Sequence, residues 1–316
     1  MKQSRNKTNK TKRTNKTKRT NKIKRTNKTK RTNKTKRTNK TKNKKIMRCG
    51  PIPEHDYTCY SSKSLENIKL LWNARHPDRK ILTNDSKIIW KSLKNNMHKV
   101  CSNEKCWLNQ KFMNNSSNKI LDKFTFAPNS PKSWEKNPNE WLSSVDIDNV
   151  MQQYEFAFPK FIFLGPSPID FDKKKLFGQC VWNELCNFNL EQYIKNMKTK
   201  IGIVFNTDPH YLEGSHWICL FIDIDKEFIF YFDSNADKTP KQVRKFINRV
   251  IKQGKILGKD FKYYENKTEH QKTNTECGVY VLYVIIKLLE EEMSPKTFKE
   301  RIPDSKMIKL RTILFN

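Results

Sequence analysis

Residues 216–235 read HWICLFIDIDKEFIFYFDSN, and this stretch determines the fold that the chain can adopt. Positions 217–222 and 228–232 are entirely apolar, and charged residues around Lys226 separate them. Two apolar runs of strand length joined by a short polar turn are typical of a β-hairpin buried on both faces. The hairpin predicts that His216, at the start of the first strand, and Asp233, at the end of the second, lie at the same end of a sheet.

The segments around this hairpin predict an α+β fold. Strand-like patterns recur at 200–208 and 260–266, and an amphipathic helix is predicted over 239–253 with Thr239 as its N-cap. The apolar run over 277–292 is rich in β-branched residues, but its length favours a buried helix over a strand. A small sheet flanked by helices follows from this order of elements.

The N-terminal part has a different composition. The chain of 316 residues has a formal net charge of +32, and residues 1–45 contribute 22 Lys and Arg without an acidic residue. Most of this tail repeats the hexamer TNKTKR, which predicts that residues 1–46 are disordered, because almost no apolar side chain offsets the entropy of ordering. Polyanion binding, to nucleic acid or an acidic surface, and a simple solvated tail remain two open interpretations.

Between the tail and the sheet, residues 50–128 are predicted to form a helical region, with helices near 64–76 and 86–101. We interpret this region as an arm for docking or substrate recognition. A segment at 127–141, rich in Pro, Asn and Ser, is typical of a boundary loop, so a second domain is placed at 135–316.

The cysteines and the hydropathy pattern suggest the compartment. No apolar signal-peptide core follows the basic N-terminus, and no stretch reaches the ~20 apolar residues of a membrane span. We therefore expect a reducing compartment, with most of the eight cysteines as buried thiols. Cys101 and Cys106 with His98 have poor spacing for zinc, so no metal is predicted, and Cys180 and Cys186 are interpreted as core or groove-lining thiols.

Four residues, in the order His216, Asp233, Gln271 and Cys277, could perform nucleophilic cysteine chemistry. Cys277 lies at the predicted N-terminus of a long helix, which favours a thiolate. A histidine would hold its proton, a carboxylate would orient that histidine, and an amide would bind the oxyanion. Each residue alone is more often structural, and only their combination favours catalysis.

The stretches HWICLFID, FDSN and QKTNTECGVYVLYVI together resemble the Ulp/SENP-type cysteine peptidases of the adenain clan. The resemblance extends over about 95–316 to the group of polyprotein-processing peptidases from African swine fever virus and giant DNA viruses. It implies an Ulp/adenain-like fold, with a mixed sheet and the nucleophile at a helix N-terminus. It also implies that Trp141 and Trp217 form the sides of a narrow substrate channel, with Gly278 leaving the backbone open beside the nucleophile.

By this resemblance, Cys277 is the nucleophile, His216 the general base, Asp233 the orienting acid and Gln271 an oxyanion donor. The implied function is a viral endopeptidase of the virion and the host cytoplasm that cleaves capsid or core precursors at Gly-Gly-Xaa without metal or cofactor. The partners would be those precursors and, through residues 1–46, nucleic acid, with no membrane. Two alternatives stay open: removal of SUMO or ubiquitin-like modifiers, and an inert nucleic-acid-binding virion protein.

Overall fold

A mixed sheet occupies the centre of the part of the chain that the computed structural model describes, residues 47–113, 121 and 123–316. The tail predicted to be disordered, 1–46, lies outside the described residues. The strands are β1 (Phe161–Phe163), β2 (Ser167–Pro168), β3 (Lys200–Asn206), β4 (Trp217–Asp223), β5 (Phe228–Phe232) and β6 (Lys262–Glu265).

The sheet order is β1-β3-β4-β5-β6, with β2 also paired to β3. Strand β3 is parallel to β1 and antiparallel to β4, and β5 is antiparallel to β4 and parallel to β6. The predicted hairpin of β4 and β5 is therefore confirmed, with Cys219 opposite Phe232. This mixture of pairings within one sheet, covered by helices, is the α+β architecture that the sequence predicts.

Helices cover both faces of the sheet. Their bounds are α1 (Ser62–Arg75), α2 (Ser86–Met97), α3 (Ser144–Ala157), α4 (Asn183–Cys186), α5 (Leu190–Lys195), α6 (Lys241–Ile256), α7 (Cys277–Leu289) and α8 (Asp304–Leu314). The predicted helices at the positions of α1, α2, α6 and α7 are confirmed, although α7 ends at Leu289. Among the described residues, no helix combines the length and apolarity that crossing a bilayer requires.

The alternating side chains of β4 divide the core into two layers. Cys219 and Phe221 pack with α3, α7 and α8, whereas Leu220 and Ile222 pack with α5 and α6 on the other face. Helix α7 is buried on nearly all sides, which explains why its sequence is apolar without helical periodicity. The N-terminal end of this central helix is consequently fixed beside the end of the β4–β5 hairpin.

The N-terminal helices have a separate apolar core. Leu65 and Trp72 of α1 pack with Ile89 and Leu93 of α2 and with Trp107. This core belongs with the sheet to one compact unit. The division into an arm at 50–128 and a catalytic domain at 135–316 stays a prediction.

The predicted N-cap of α6 is wrong. Pro240 occupies the N-cap position, without a side-chain capping bond. Thr239 instead donates its backbone N–H to Glu265 Oε1 at 2.8 Å, and its hydroxyl lies 2.6 Å from Tyr263 Oη. These contacts attach the start of the helix to the edge strand β6.

The expectation that most cysteines are thiols is also wrong. All eight cysteines lie in the part of the chain that the structure describes, and among them only Cys219 and Cys277 are free. The disulfides are Cys49–Cys59, Cys101–Cys106 and Cys180–Cys186. Hence Cys180 and Cys186 are not core or groove-lining thiols, and the thiol count no longer supports a reducing compartment.

Candidate active site

The end of the β4–β5 hairpin brings a histidine and a carboxylate together. His216 directly precedes β4, and Asp233 directly follows β5. His216 Nε2 lies 2.8 Å from Asp233 Oδ1. The Asp233 side chain is only 2% exposed, and its Oδ1 also accepts the backbone N–H of Asn235 at 2.8 Å. Asp233 therefore has a fixed orientation and in turn orients the imidazole.

Cys277 completes a cysteine, histidine and aspartate arrangement. It is the first residue of α7, carries a free thiol and is 2% exposed. Burial lowers the pKa of His216, but hydrogen bonds to Asp233 and Cys277, with the charges of both groups, raise it overall to about 10. Because Asp233 engages Nε2, Nδ1 is the ring nitrogen that remains for the thiol. The Cys277 sulfur thus lies at a helix N-terminus beside a histidine whose pKa is raised.

Gln271 is held immediately behind this arrangement. Its side chain is buried, and its carboxamide Oε1 accepts a hydrogen bond from Ser234 Oγ at 2.8 Å. Its backbone N–H donates to the Ser234 carbonyl at 3.0 Å. Since Ser234 follows Asp233 directly, the orientation of Gln271 depends on the same turn. With its oxygen accepting this bond, the amide keeps its NH₂ group as a donor, which an oxyanion role would require.

A second histidine, which sequence reasoning missed, supports this turn. The His270 ring is fully buried, its Nδ1 accepts the backbone N–H of Ile302 at 3.0 Å, and its Nε2 lies 3.2 Å from Asn266 Oδ1. Burial, together with the charge of Arg301, lowers the pKa of His270 to about 4. Its partners lie far apart in the sequence, so no local pattern identified it.

The buried neutral His270 predicts acid sensitivity of the fold. The unfolded side chain binds a proton below its ordinary pKa of 6.5, whereas the folded one does so only near 4. The free energy of unfolding should therefore fall as pH drops through this window, by on the order of 3 kcal/mol. Denaturant titrations across this pH range test the effect, and His270→Gln should flatten the slope. If the free energy of unfolding depends equally on pH in the wild type and in His270→Gln, the acid sensitivity does not come from His270.

The three predicted channel residues have different environments. Trp141 is 41% exposed, whereas Trp217 is 8% exposed and donates its indole N–H to the Leu142 carbonyl at 2.9 Å. A methyl group built on Gly278 would lie 2.8 Å from Leu142 Cβ, so glycine permits close packing beside the nucleophile. The structure thus places Trp217 and Gly278 against Leu142, the residue that follows Trp141. The channel role of all three predicted residues stays a prediction.

A groove that the sequence did not predict adjoins Trp217. Its volume is about 340 Å³. Its lining comes from 166–168, 181–182 and most of 206–214, together with Ser144, Lys175 and Trp217. The wall at 181–182 lies inside the Cys180–Cys186 disulfide loop, which therefore borders the groove. No group of three or more potential metal ligands occurs among residues 47–113, 121 and 123–316.

Comparison with known proteins identifies the family. Residues 196–316 match the model of the Ulp1 protease family, C-terminal catalytic domain. A protein of Acanthamoeba polyphaga mimivirus that is named as a thiol protease is 31% identical over 238 residues, which are 75% of this chain and 76% of that protein. The chain belongs to the Ulp1 protease family. It is therefore a cysteine peptidase, as predicted.

African swine fever virus provides a further relative and a solved structure. A protein of a Kenyan isolate, named SUMO-1 cysteine protease, is 29% identical over 189 residues, which are 57% of this chain and 69% of that protein. The crystal structure of a protease from this virus superposes with a TM-score of 0.58 at 20% identity, covering 85% of this chain and 95% of that one. The predicted Ulp-type fold is confirmed. The superposition covers 85% of this chain, whereas residues 135–316 make up less than two thirds of it. The structural similarity therefore extends into the N-terminal helical region.

Proposed function

We propose that this Ulp1-family peptidase is a viral thiol endopeptidase that cleaves capsid or core precursor proteins after Gly-Gly-Xaa motifs. Cys277 acts as nucleophile, His216 as general acid and base, and Asp233 as the residue that orients the imidazole. The observation that carries the proposal is the position of His216: its Nε2 lies 2.8 Å from Asp233 Oδ1, and interaction with Cys277 helps to raise its pKa.

The proposed reaction proceeds in two halves. The Cys277 thiolate attacks the carbonyl carbon, and the carbonyl electron pair moves onto oxygen, where the Cys277 N–H and the Gln271 amide stabilise it. When the oxyanion collapses, the C–N bond breaks and His216 gives its proton to the leaving amine. Neutral His216 then removes a proton from water, which attacks the thioester and releases the thiolate. Each oxyanion donor contributes about 10²–10³ in kcat.

Glycine specificity follows from the packing beside the nucleophile. Leu142 touches Gly278, and its carbonyl accepts the Trp217 indole N–H, so the chain carrying Trp141 approaches the start of α7 closely. We propose that Trp141 and Trp217 narrow the entrance to Cys277 so that residues without a side chain fit best. This explains why a pair of glycines would precede the scissile bond.

Peptide cleavage tests this substrate class. Peptides containing Gly-Gly-Xaa should be cleaved after the second glycine, and the matched Ala-Ala-Xaa peptides should show a far lower kcat/KM. Mass spectrometry of the products locates the scissile bond. Equal cleavage of both peptide sets would remove glycine specificity from the proposal while leaving the peptidase assignment intact.

Removal of a ubiquitin-like modifier is the second candidate, because the African swine fever virus relative is named SUMO-1 cysteine protease. Modifier and precursor substrates would both place glycines in the same entrance. Comparing the reaction rates of SUMO and ubiquitin probes with those of short peptides distinguishes deconjugation from precursor cleavage. A large preference for intact modifier over the peptide with the same C-terminal residues would favour deconjugation.

We further propose that the enzyme acts in the virion and in the viral factory of the host cytoplasm, and that residues 1–46 bind nucleic acid there. The proposal rests on the 22 basic residues and the absence of acidic residues in 1–45. Binding of duplex DNA that weakens steeply with salt and disappears when 1–46 is deleted would support it. Unchanged binding after the deletion would contradict it.

A further inference from the structure

Hydrogen bonds hold the backbone on both sides of Trp141, at the carbonyl of the preceding residue and at the carbonyl of the following residue. Trp217 Nε1 donates to the Leu142 carbonyl at 2.9 Å, and Arg311 Nη1 donates to the Glu140 carbonyl at 2.6 Å. Trp141 lies between these two anchors and is 41% exposed. These two buried donors, on the carbonyls that flank Trp141, hold the backbone of this 140–142 segment in one position, while Trp141 itself stays partly exposed.

The same guanidinium also holds the residue that precedes the nucleophile. Arg311 Nη2 lies 3.1 Å from Glu276 Oε2 and 3.2 Å from Oε1, and Arg311 Nε lies 3.3 Å from Oε2. The side chains are 4% and 0% exposed. Glu276 is the N-cap residue of α7, and its own side chain makes no capping bond. One buried group on α8 therefore contacts both the start of the nucleophile helix and the 140–142 segment.

Stability alone is a weak reason for such an arrangement. A buried ion pair gains little over apolar residues of similar size, because removing both charges from water costs several kcal/mol. Its directed hydrogen bonds instead fix the distance between the groups that it joins. Here Arg311 also packs over the Trp134 ring, at 4.6 Å from its centroid, which restrains the guanidinium plane.

A third contact, between Gly278 and Leu142, joins the 140–142 segment to the start of α7. A methyl group on Gly278 would lie 2.8 Å from Leu142 Cβ. The 140–142 segment is thus pressed against the residue after Cys277, while Arg311 ties it to the residue before Cys277. Small movements of this segment would change the width of the space next to the sulfur.

We propose that Arg311 is a positioning residue for specificity: it sets the spacing between Trp141 and Cys277 and thereby enforces the preference for glycine. This inference rests on the proposed function, because it assumes that Trp141 borders the substrate channel. Arg311 is remote in sequence from the catalytic residues and is not itself placed in contact with substrate.

The test compares two electrophiles with the same reactive group, one after Gly-Gly and one after Ala-Ala, on the full chain. Iodoacetamide is so small that its reaction rate should not depend on the width of the channel, so it reports the intrinsic reactivity of Cys277. The double variant Glu276→Gln with Arg311→Met removes both charges, so no unpaired charge stays buried. We expect its ratio of Gly-Gly to Ala-Ala inactivation rates to fall about tenfold or more, because admitting a single extra methyl group already changes discrimination by about tenfold and Ala-Ala carries two. The iodoacetamide rate should change little.

Arg249→Met is the matched control. Arg249 also binds a carboxylate, Asp172, at 3.3 Å and the carbonyls of Leu185 and Cys186 at 2.7 and 2.9 Å, but on α6. The Arg249→Met variant should have a lower thermal midpoint but an unchanged ratio of Gly-Gly to Ala-Ala inactivation rates. If the double variant does not fold, Arg311→Lys, which keeps the charge but loses the planar fork, should lower the ratio in the same direction.

The outcomes separate the inference from the proposed function. A wild-type protein that reacts equally with both electrophiles would overturn the glycine specificity itself. A wild-type preference that persists in the Arg311 variants, or that falls equally in Arg249→Met, would overturn the positioning role alone. A ratio lowered only in the Arg311 variants, at an unchanged iodoacetamide rate, would establish it.

Discussion

Replacing Cys277 with Ala should abolish peptide cleavage, lowering kcat by about 10⁴–10⁶. The thiolate forms the covalent bond to the acyl group, and none of the neighbouring side chains can replace it. The fold should persist, because Ala fits the space of a buried Cys at the first position of α7. Product formation from a Gly-Gly-Xaa peptide, measured beside the thermal midpoint, separates lost chemistry from lost structure.

Cys219→Ala is the matched control, because Cys219 is the other free cysteine and is fully buried in β4. Losing a core sulfur should cost some stability, but the variant should retain most of its activity. Full activity of Cys277→Ala, or an equally complete loss in Cys219→Ala, would show that the nucleophile has been assigned to the wrong residue.

The second large effect is expected for Asp233→Asn, which should lower kcat by about 10²–10⁴. The amide still fills the space beside His216 Nε2, but it carries no negative charge to stabilise the imidazolium. Leaving-group protonation needs that imidazolium, so the wild-type rate should fall as pH rises through the His216 pKa of about 10. In the variant this pKa falls, and the alkaline limb of the pH profile should move to lower pH.

A merely structural role of Asp233 would give a different result. It would lower the thermal midpoint and the fraction of active enzyme, but the alkaline limb of the remaining activity would stay where it is. Steady-state kcat/KM from pH 6 to the highest pH at which the protein stays folded distinguishes the two cases. An unshifted limb in Asp233→Asn would contradict the orienting role.

The central part of this structure could be predicted because its signals are local. The turn at Lys226 joins two apolar runs, so the hairpin and the meeting of His216 with Asp233 follow from strand geometry alone. The β4–β5 register places Asp233 diagonally from His216, and the side chains bridge the offset. The sequence also predicts the start of α7 at Cys277, because a long apolar run begins there.

The remaining features depend on contacts between distant parts of the chain. Arg311 and Glu276 lie 35 residues apart, and a charged residue on a short helix gives no sign of being buried. Thr239 has the residue type of an N-cap, but the competing bond to Glu265 on β6 determines its position. The disulfide pairing likewise depends on the tertiary fold that brings each pair of cysteines together.

The most direct test of the account is to label the protein with an electrophilic Gly-Gly peptide and to locate the modified residue by peptide mapping. We predict a single adduct on Cys277, slowed in His216→Ala and prevented by prior alkylation with iodoacetamide. Modification of Cys219 or of a reduced disulfide cysteine instead, or an equal labelling rate without the His216 imidazole, would contradict the proposed catalytic site.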